Sequence, residues 1–529
     1  MAIRLPLPLA SLLQPDAYPH AVAGVELVET HISWVFLTGE LAYKIKRPVR
    51  YDFVDLRAAE QRAFFCREEL RLNRRFAPEL YLDVCTVTLE GGRARIGGTG
   101  EVIDHAVRMR QFRREEELVV LLTRGALAPA ELATFARELA ELHAQLPPAD
   151  AAQHWGRPED VQALLQRNLV ECLQAAAEIG VAGAACGLRE PYHARLEAAR
   201  PWLDARRGSG KVRECHGDLH AGNIVRYGGR LRAFDCLEFE PAFRWIDVAE
   251  ELASLFMDLL ARQCGAHAYA FLNGYLFQSG DYPACRGLRL YGAHRALVRA
   301  KVAALRALDA AGEDARVSSR AEHHRYVACA RALLQPAPPR LILTCGVSGS
   351  GKTWLAERLA LELGAVHVRS DVERKRLAGL SERQRSAAGL DEGAYSAQMT
   401  EQVYARLREC AAEALGGGFP VIVDATFQQR AERARFRALA EDCSAALDVI
   451  LCQAPQPVLQ ARIAERRRTQ ADASEADERV LHLQQARFDP ILPAEKLAVI
   501  DADTTQANVV AQVSSRVGTI PNGAPDDRG

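Results

Sequence analysis

The amino-acid sequence predicts a two-domain α/β protein, and three observations support this prediction. Its 529 residues exceed what one ordinary hydrophobic core holds. The segment QPAPPR at 335–340 contains three prolines, which favour an extended linker. Before this segment, β-prone stretches give way to a mostly helical region, whereas after it short apolar strands alternate with helices. That alternation is typical of a parallel sheet with helices on both faces.

The first domain is predicted to have a small β-rich lobe and then a larger helical lobe. Two β-prone runs around a Thr-Gly-Glu turn predict a hairpin at 31–47, and further strands are predicted at 82–98 and 102–112. Residues 58–76 have the pattern of a helix. The predicted divisions are, in chain order, a first domain at 1–335 with lobes at about 25–115 and 116–335, a linker at 336–340, a second domain at 341–510, and a flexible tail at 511–529.

Composition excludes several classes of protein. Lys and Arg number 67 against 68 Asp and Glu, so no overall charge predicts binding to nucleic acid or to an anionic membrane surface. The 13 cysteines are scattered without a CxxC pair, which argues against a disulfide scaffold or a zinc ribbon. We find no convincing signal peptide and no apolar run long enough to span a membrane. We therefore expect a cytoplasmic protein, and the oligomeric state is left open.

The second domain begins with a glycine-rich loop. GVSGSGKT at 346–353 fits GxxxxGK[ST], with the strand LILTC before it and a helix starting inside it. Backbone N–H groups and the helix N-terminus would bind phosphates, while Lys352 would reach the β- and γ-phosphates and Thr353 would hold Mg²⁺. The predicted nucleotide-binding residues of this loop are Gly346, Val347, Ser348, Gly349, Ser350, Gly351, Lys352 and Thr353.

Other residues of the second domain are candidates for the same chemistry. Asp424 ends the apolar run VIVD and would be the acid on the metal side of the site, or else a turn cap. Asp371 would be a general base with Arg374 binding the substrate, although a helix N-cap explains Asp371 equally well. Arg462 and Arg466 share a helix and would neutralise the transferred phosphoryl group, or simply form a solvated basic face.

The first domain carries a second motif, HGDLHAGN at 216–223, which fits the catalytic-loop spacing H-x-D-L-x-x-x-N. Asp218 would take the proton of an acceptor hydroxyl, and Asn223 would ligate Mg²⁺. Asp235, on a strand that follows a Gly-Gly turn, would be the second metal ligand. The two loop histidines and Asp218 could instead form the metal cluster of a hydrolase, but Asn223 and Asp235 would then be coincidences.

The small lobe supplies the residues that this motif requires upstream. Lys44 in AYKIK would contact the α- and β-phosphates, and Lys46 on the same strand face is a competitor. A glutamate on the following helix should pair with that lysine. The stretch CREEL offers Glu68 or Glu69, and we favour Glu69.

Residues from about 25 to 330 resemble the aminoglycoside-phosphotransferase-like branch of the protein-kinase fold, whose loop also reads HGDLHxGN. The resemblance implies a bilobal kinase domain with Asp218 as catalytic base and Asn223 and Asp235 as metal ligands. It also implies that His216 supports the loop. Asp247 matches a residue that buttresses the site in this family, although N-capping alone explains it.

The departures from that family pattern favour one class of acceptor substrate. Cys-Leu follows Asp235 where protein kinases have Phe-Gly, and no activation segment with A-P-E is present, so a small-molecule acceptor is favoured over a protein. The small lobe has no G-x-G-x-x-G loop, and residues 25–34 are only a positional choice for the segment that covers the phosphates. Residues 338–505 in turn resemble the small-molecule kinase branch of P-loop proteins, which includes gluconate-kinase-like, polynucleotide-kinase-like and zeta-toxin-like enzymes. ATP and Mg²⁺ are the implied cofactors.

Together these features predict an ATP-dependent phosphotransferase with two nucleotide-binding modules that act on hydroxyl groups of small molecules. One alternative is an active kinase controlled by a P-loop nucleotide switch, and another is a toxin-like P-loop kinase restrained by the first domain. The charge of the acceptor stays open, because either set of charges near the loop could be a solvated face. The acidic set is Glu238, Glu240, Glu250 and Glu251, and the basic set is Arg295, Arg299 and Lys301.

Overall fold

A computed structural model of the chain describes residues 5–51, 54–181, 183, 187–380, 396–469 and 478–517. An antiparallel sheet and a helical lobe come first, and a parallel sheet flanked by helices follows, which confirms the predicted two-domain α/β class. Among the helices in these ranges, none is both long enough and apolar enough to cross a bilayer.

The small lobe is built on a six-stranded antiparallel sheet in the order β1-β2-β3-β8-β6-β7. β2 and β3 are rich in aromatic and branched residues, and Trp34, Phe36, Tyr43 and Ile45 are buried between the sheet and the N-terminal segment. The elements are α1 (Leu7–Ala10), β1 (Glu26–Glu29), β2 (Ser33–Leu37), β3 (Leu41–Lys46), β4 (Arg50–Tyr51), β5 (Val54–Asp55), α2 (Ala59–Asn73), β6 (Tyr81–Glu90), β7 (Arg93–Ile96) and β8 (Glu101–Arg110).

The helical lobe surrounds one almost fully buried helix, α8. Two short antiparallel pairs, β12-β9 and β10-β11, hold the HGDLHAGN loop between them. The elements are α3 (Leu118–Thr123), α4 (Pro129–Gln145), α5 (Pro158–Glu178), α6 (Arg189–Ala198), α7 (Arg200–Gly208), β9 (Val212–Glu214), β10 (Ile224–Tyr227), β11 (Arg230–Ala233), β12 (Trp245–Asp247), α8 (Val248–Ala261), α9 (Gly265–Ser279), α10 (Cys285–Asp309) and α11 (Glu313–Leu334).

The second domain has a five-stranded parallel sheet in the order β14-β15-β13-β16-β17. The glycine loop follows the carboxyl end of the central strand β13, where a parallel sheet usually binds its ligands. The elements are β13 (Arg340–Cys345), α12 (Lys352–Leu363), β14 (Val366–Arg369), α13 (Ser370–Leu377), α14 (Ala397–Gly416), β15 (Val421–Asp424), α15 (Arg430–Asp442), β16 (Ala446–Gln453), α16 (Gln456–Thr469), α17 (Glu478–Ala486), β17 (Ala498–Asp503) and α18 (Val509–Val517).

The flexible tail predicted from residue 511 begins inside helix α18, so the prediction is wrong for its first part. Val509, Val513 and Val517 are buried in the same apolar cluster as residues of α12. Their spacing of four places them on one helix face, a pattern that the Gly- and Pro-rich residues after it obscured. Residues 518–529 lie outside the described ranges.

The two domains pack directly against each other through helix α9. The Asn273 amide donates to the backbone oxygen of Ala365 at 3.0 Å and accepts from the N–H of His367 at 2.9 Å. Because β14 is an edge strand of its sheet, Asn273 satisfies backbone groups that the sheet leaves unpaired. Phe256 and Phe419 face each other across the contact with ring centroids 6.1 Å apart. The proline segment therefore joins domains that share a buried interface.

Candidate active sites

Lys44 on β3 lies at the centre of a network of charges in which the lysines, Glu69 and Glu238 are buried and Asp235 is half-exposed. Its ammonium group donates to Glu69 Oε1 at 2.8 Å and also to Asp235 Oδ1. Lys46 bonds to the other oxygen of Glu69 and to Glu238. Both lysines therefore bind Glu69, but Lys44 is the one that reaches Asp235.

The neighbouring glutamate of α2 has a different environment. Glu68 pairs with Arg71 at 2.9 Å on a partly exposed face, whereas Glu69 is fully buried. Burial acts to lower the pKa of Lys44, but the charges of Asp235 and Glu69 outweigh it and raise the pKa well above its usual value. The same opposition lowers the pKa of Asp235, where Lys44 outweighs burial. Lys44 and Asp235 are thus charged partners.

The HGDLHAGN loop is held by hydrogen bonds within itself and to Phe234, which directly follows β11. The Asn223 side chain donates to the backbone oxygen of Asp218 at 3.0 Å, which leaves its amide oxygen to serve as a metal ligand. His216 is buried, and its Nε2 lies 2.9 Å from the backbone oxygen of Phe234. Burial lowers the pKa of His216 to about 4. This contact places the loop next to Asp235, which directly follows Phe234.

Glycine is required inside this loop. Gly217 has φ 86°, and a Cβ there would lie 2.6 Å from the backbone oxygen of Phe243. The left-handed conformation and the close backbone explain why a glycine separates the buried His216 from Asp218. Asp235 also has a positive φ, 63°, and its N–H donates to the Tyr81 hydroxyl at 3.1 Å. Tyr81 is a contact that no local sequence signal predicts.

Asp218 is surrounded by basic side chains. Arg295 Nη2 lies 2.9 Å from one carboxylate oxygen, and His220 Nε2 lies 3.4 Å from the other. Burial alone would raise the pKa of Asp218, but His220, Arg295 and Arg299 lower it below its usual value. The carboxylate is therefore ionised at neutral pH and able to accept a proton.

Two acidic residues of the following segment support the loop from behind. Glu251 accepts from the N–H groups of His216 at 2.7 Å and Gly217 at 3.0 Å, and burial raises its pKa to about 7. Asp247 caps α8 by accepting from Ala249 N–H at 2.9 Å, and both of its oxygens also bind Arg206. Sequence reasoning missed the role of Glu251, because its backbone partners are more than 30 residues away.

In the second domain, Thr353 and Asp424 are brought together. The Thr353 hydroxyl donates to Asp424 Oδ2 at 2.7 Å, and Thr344 donates to the other carboxylate oxygen at 3.2 Å. Burial would raise the pKa of Asp424, but its contacts with His367, Arg369 and Thr353 lower it. Hydroxyl, carboxylate and amide oxygens are the kinds of ligand that Mg²⁺ prefers. Thr353 and Asp424 offer such oxygens in the second domain, and Asn223 and Asp235 offer them in the first.

The glycine loop itself is closely packed. A Cβ on Gly346 would lie 2.5 Å from the backbone oxygen of Cys452, and one on Gly349 would lie 2.8 Å from that of Leu459. Lys352 donates to the backbone oxygen of Val347 at 2.7 Å, and burial lowers its pKa. Of the remaining loop residues, Ser350 is buried, Gly351 has φ 82°, and Ser348 donates its N–H to Gln484 Oε1 at 2.7 Å.

Gln484 of α17 is a third contact that sequence reasoning missed. Its side-chain oxygen accepts from a loop N–H of the kind that binds phosphate oxygens. Arg462 contacts the same loop and donates to Gly349 oxygen at 3.2 Å and to Thr504 Oγ1 at 2.8 Å. These contacts support the loop backbone, and the role of Arg462 on the transferred phosphoryl group stays a prediction. Arg466 is half-buried one turn further along α16.

Asp371 and Arg374 both lie on helix α13. Asp371 is half-buried in its first turn, so it follows the end of β14 instead of belonging to it. Arg374 Nη1 lies 3.5 Å from the Thr400 hydroxyl of α14. The acceptor roles of both residues remain predictions.

Comparison with known proteins agrees with this division of the chain. The family described as "Phosphotransferase enzyme family" matches residues 56–288, and the "AAA domain" family matches residues 341–491. Among solved structures, a choline/ethanolamine kinase family protein from Mesorhizobium loti is 15% identical, with 61% of this chain and 98% of that chain covered, at a TM-score of 0.35. A sugar kinase from Janibacter sp. HTCC2649 is 21% identical, with 36% and 100% covered, at 0.28. At these TM-scores the two solved structures do not indicate the substrate of this chain.

Whole-chain relatives are found in mycobacteria. The protein printed as "Uncharacterized protein Rv2004c" of Mycobacterium tuberculosis is 33% identical over 469 residues, which cover 88% of this chain and 91% of the relative. A Mycobacterium bovis protein, "Uncharacterized protein Mb2027c", matches to the same extent. With its aminoglycoside-phosphotransferase-like and P-loop domains, the chain is an ATP-dependent kinase. In this chain a phosphotransferase enzyme family domain is followed by an AAA domain. The chain belongs to the family of these mycobacterial proteins.

Proposed function

We propose that the chain carries two ATP-dependent phosphotransferase modules, each of which transfers the γ-phosphoryl group to a hydroxyl of a small molecule. The observation that carries the proposal is the contact of Lys44 with both Glu69 and Asp235, beside a loop that presents Asp218 and Asn223. An ion pair that only stabilised the fold would need just Lys44 and Glu69. Lys44 also contacts Asp235, the proposed metal ligand. This arrangement connects the phosphate-binding lysine to a metal-binding carboxylate.

In the first module, each side chain has one task. Lys44 binds the α- and β-phosphates, and Asp218 orients the acceptor hydroxyl and takes its proton. The hydroxyl oxygen bonds to the γ-phosphorus as the bond to the β–γ bridging oxygen breaks, and ADP leaves with that oxygen. Asn223 and Asp235 would hold Mg²⁺, which neutralises charge on the phosphates when bound. Most of the barrier reduction then comes from positioning and charge.

In the second module, the glycine loop and Lys352 bind the phosphates, and Thr353 and Asp424 would hold the cation. Asp371 is the proposed base, because the first turn of α13 follows the carboxyl end of β14 at the same edge of the sheet as the glycine loop. Arg374, one turn further, would bind the acceptor.

A second candidate is that the P-loop module is a nucleotide switch for the first module. The contact of Gln484 with Ser348 N–H favours it, because phosphate binding at that N–H would release α17. The discriminating residue is Asp371, since a switch that only binds and hydrolyses nucleotide needs no acceptor base. If Asp371→Asn lowers phosphoryl transfer by the Asp218→Asn chain, the second module is a kinase. If that variant changes nothing, the switch is favoured.

The main experiment measures ADP release and phosphorylated products from the full chain across a panel of hydroxyl-bearing metabolites. Asp218→Asn and Lys352→Ala should each abolish a different set of products, by about 10²-fold or more. Asp314→Asn and Lys496→Ala are matched controls. Asp314 is exposed on α11, and Lys496 precedes β17 at the sheet end opposite the glycine loop. If Asp218→Asn left every product unchanged, the assignment of the first module would be wrong.

A further inference from the structure

The carboxylates that could have bound a cationic acceptor all face protein groups. A cationic acceptor, such as an amine, needs free carboxylates near the base that receives its hydroxyl proton. The four candidates are engaged as follows: Glu238 bonds to Lys46, Glu240 accepts from Ala242 N–H at 3.0 Å, Glu250 lies 3.8 Å from His294 Nε2 and 4.0 Å from Arg295 Nη1, and Glu251 accepts from His216 and Gly217 N–H. Asp258 is also engaged, with Tyr326, Arg262 and Ala221 N–H.

Basic groups, in contrast, point at the proposed base from helix α10. Arg295 Nη2 is shared between Asp218 Oδ1 and the backbone oxygen of Gly217, both at 2.9 Å. Arg299, one helical turn later, places Nη1 3.1 Å from His220 Nε2, and its Nη2 lies 3.8 Å from Glu322 Oε1 of α11. Lys301, the third basic residue of this stretch, turns to a different face and bonds to Glu171 at 2.7 Å. The acceptor side of the site is therefore lined by two guanidinium groups and an imidazole.

The hydrogen bond that His220 accepts leaves part of Arg299 unsatisfied. His220 Nδ1 accepts from the N–H of Gly222 at 3.0 Å, so the ring N–H is on Nε2. That N–H faces Asp218 Oδ2 at 3.4 Å. Arg299 Nη1 has only protons to offer and cannot bond to a second N–H. Its Nε is also buried and has no hydrogen-bond partner among the described residues.

We propose that the acceptor of the first module carries a carboxylate or phosphate group beside its reacting hydroxyl, and that Arg299 binds this anionic group together with His220. The inference rests on the proposed function of the first module. An anion oxygen beside Arg299 and His220 supplies the acceptor atom that Arg299 Nη1 lacks, and it can accept from His220 Nε2 as well, whose N–H otherwise faces Asp218 Oδ2 at 3.4 Å. An ammonium group at the same place would meet only donors of Arg299 and His220, because the nearest carboxylates, Asp218 and Glu322, already lie within ion-pair distance of Arg295 and Arg299.

The test uses the full chain with the second module silenced by Lys352→Ala. Acceptors are compared in sets that share a carbon skeleton: glycerol, glycerate, 3-phosphoglycerate and serinol in one, and glucose, gluconate, glucose 6-phosphate and glucosamine in the other. We expect kcat/KM to be at least about 10-fold higher for an acidic member than for its neutral and amino counterparts. Comparing the acceptors that carry only a carboxylate with those that carry a phosphate shows which of the two anionic groups the site prefers.

Arg299→Gln separates recognition of the anion from support of the loop. It should raise KM for the acidic acceptor by about 10-fold or more, whereas any change in kcat that comes from the charge beside Asp218 should be the same for acidic and neutral acceptors. Arg299→Lys should restore part of the loss, because the charge returns without the fork of donors. Lys301→Gln removes the same charge from the same helix and should have no such effect. Arg295 is left intact, because its bond to Gly217 oxygen makes a substitution there a risk to folding.

The outcomes separate the inference from the proposal on which it rests. Asp218-dependent transfer that prefers neutral or amino acceptors, or an equal loss for all acceptors in Arg299→Gln, would overturn the inference and keep the proposed function. Transfer that Asp218→Asn does not affect would overturn the proposed function. If no acceptor reacts, orthophosphate is titrated into the chain saturated with AMP-PNP and Mg²⁺. Binding that Arg299→Gln weakens by about 5-fold or more supports the inference, and binding unaffected by that variant overturns it.

Discussion

The two phosphate-binding lysines, Lys44 and Lys352, lie in opposite electrostatic environments. Lys44 contacts two carboxylates, whose charges raise its pKa although it is buried. Lys352 is half-buried, its hydrogen bond goes to a neutral backbone oxygen, and its pKa is lowered. Asp424, the nearest metal-side acid, bonds to Thr353 instead. The first module fixes its lysine by ion pairing, whereas in the second module the nucleotide phosphates would supply the charged partner.

This contrast teaches that the same task, placing a cation on a phosphate, can be prepared in two ways. Ion pairing orients Lys44 in advance, but Asp235 must then be shared between the lysine and the metal. A lysine bonded to a neutral carbonyl can turn to an anion at small electrostatic cost, but it stays less basic until the anion binds. Four predictions test how far the contrast holds.

The largest expected effect is the loss of either lysine. Lys44→Met should lower Asp218-dependent transfer by about 10³-fold, and Lys352→Met should lower nucleotide binding or turnover in the second module by a similar factor. Neither substitution should unfold the chain, because Glu69 keeps Lys46 as a partner and Lys352 gives up only a backbone contact. Product analysis by mass spectrometry with each variant measures this. A loss of both activities from one substitution would contradict independent sites.

Lys46 tests whether the ion pairs in the small lobe serve stability. Its side chain has no exposure, and removing it leaves Glu69 and Glu238 close together without their shared cation. Lys46→Met should therefore lower the free energy of unfolding by about 3–5 kcal/mol, measured by urea denaturation. The double variant Lys46→Met/Glu238→Leu should recover part of this loss. Equal stability of the single and double variants would show that the unpaired Glu238 carboxylate is not the source of the loss.

Local sequence pattern was sufficient to predict the fold class and the residues of each motif. The GxxxxGK[ST] spacing predicted a loop after β13, and the H-x-D-L-x-x-x-N spacing singled out Asp218 and Asn223, which the structure places in contact within one continuous turn of the chain. Asp235 was predicted because a second metal ligand is chemically required. The choice between Lys44 and Lys46 was not possible from sequence, since alternation in a strand puts both on one face.

Contacts between distant elements could not be predicted. Tyr81, Glu251 and Gln484 each reach the sites from elements remote in sequence, and only the packing of β6, α8 and α17 brings them close. The contacts of Arg462 with the loop backbone were not predicted for a related reason. A helix rich in arginine does not reveal which of them faces the loop and which faces solvent. The interface formed by α9 likewise has no local pattern, because Asn273 acts through backbone groups of another domain.

Asn273 links the first domain, which contains Lys44, to the second domain, which contains Lys352. Asn273→Ala removes two buried hydrogen bonds and leaves the backbone groups of Ala365 and His367 unpaired. We expect a loss of about 2–4 kcal/mol of unfolding free energy. Exposed Asn508, which precedes α18, provides a matched control as Asn508→Ala. Differential scanning calorimetry should show whether the two domains still unfold together. An unchanged single transition would mean that other contacts hold the interface.

The smallest effect, and the one that addresses the contrast most directly, is the pH dependence of nucleotide binding. A lysine with a lowered pKa loses its proton at lower pH than a free lysine, whose pKa is 10.5, so the second module should bind ATP more weakly as the pH rises towards that value. Lys44 has a raised pKa and stays charged, so the first module should bind ATP equally well over the same range.

The two affinities can be measured separately with a fluorescent ATP analogue, in Lys44→Met for the second module and in Lys352→Met for the first. Between about pH 7 and 10 we expect a change of less than about 10-fold in the second module only, since phosphate binding itself raises the pKa of Lys352. Parallel pH profiles for both modules would mean that the two lysines are equally basic and that their different partners do not govern phosphate binding.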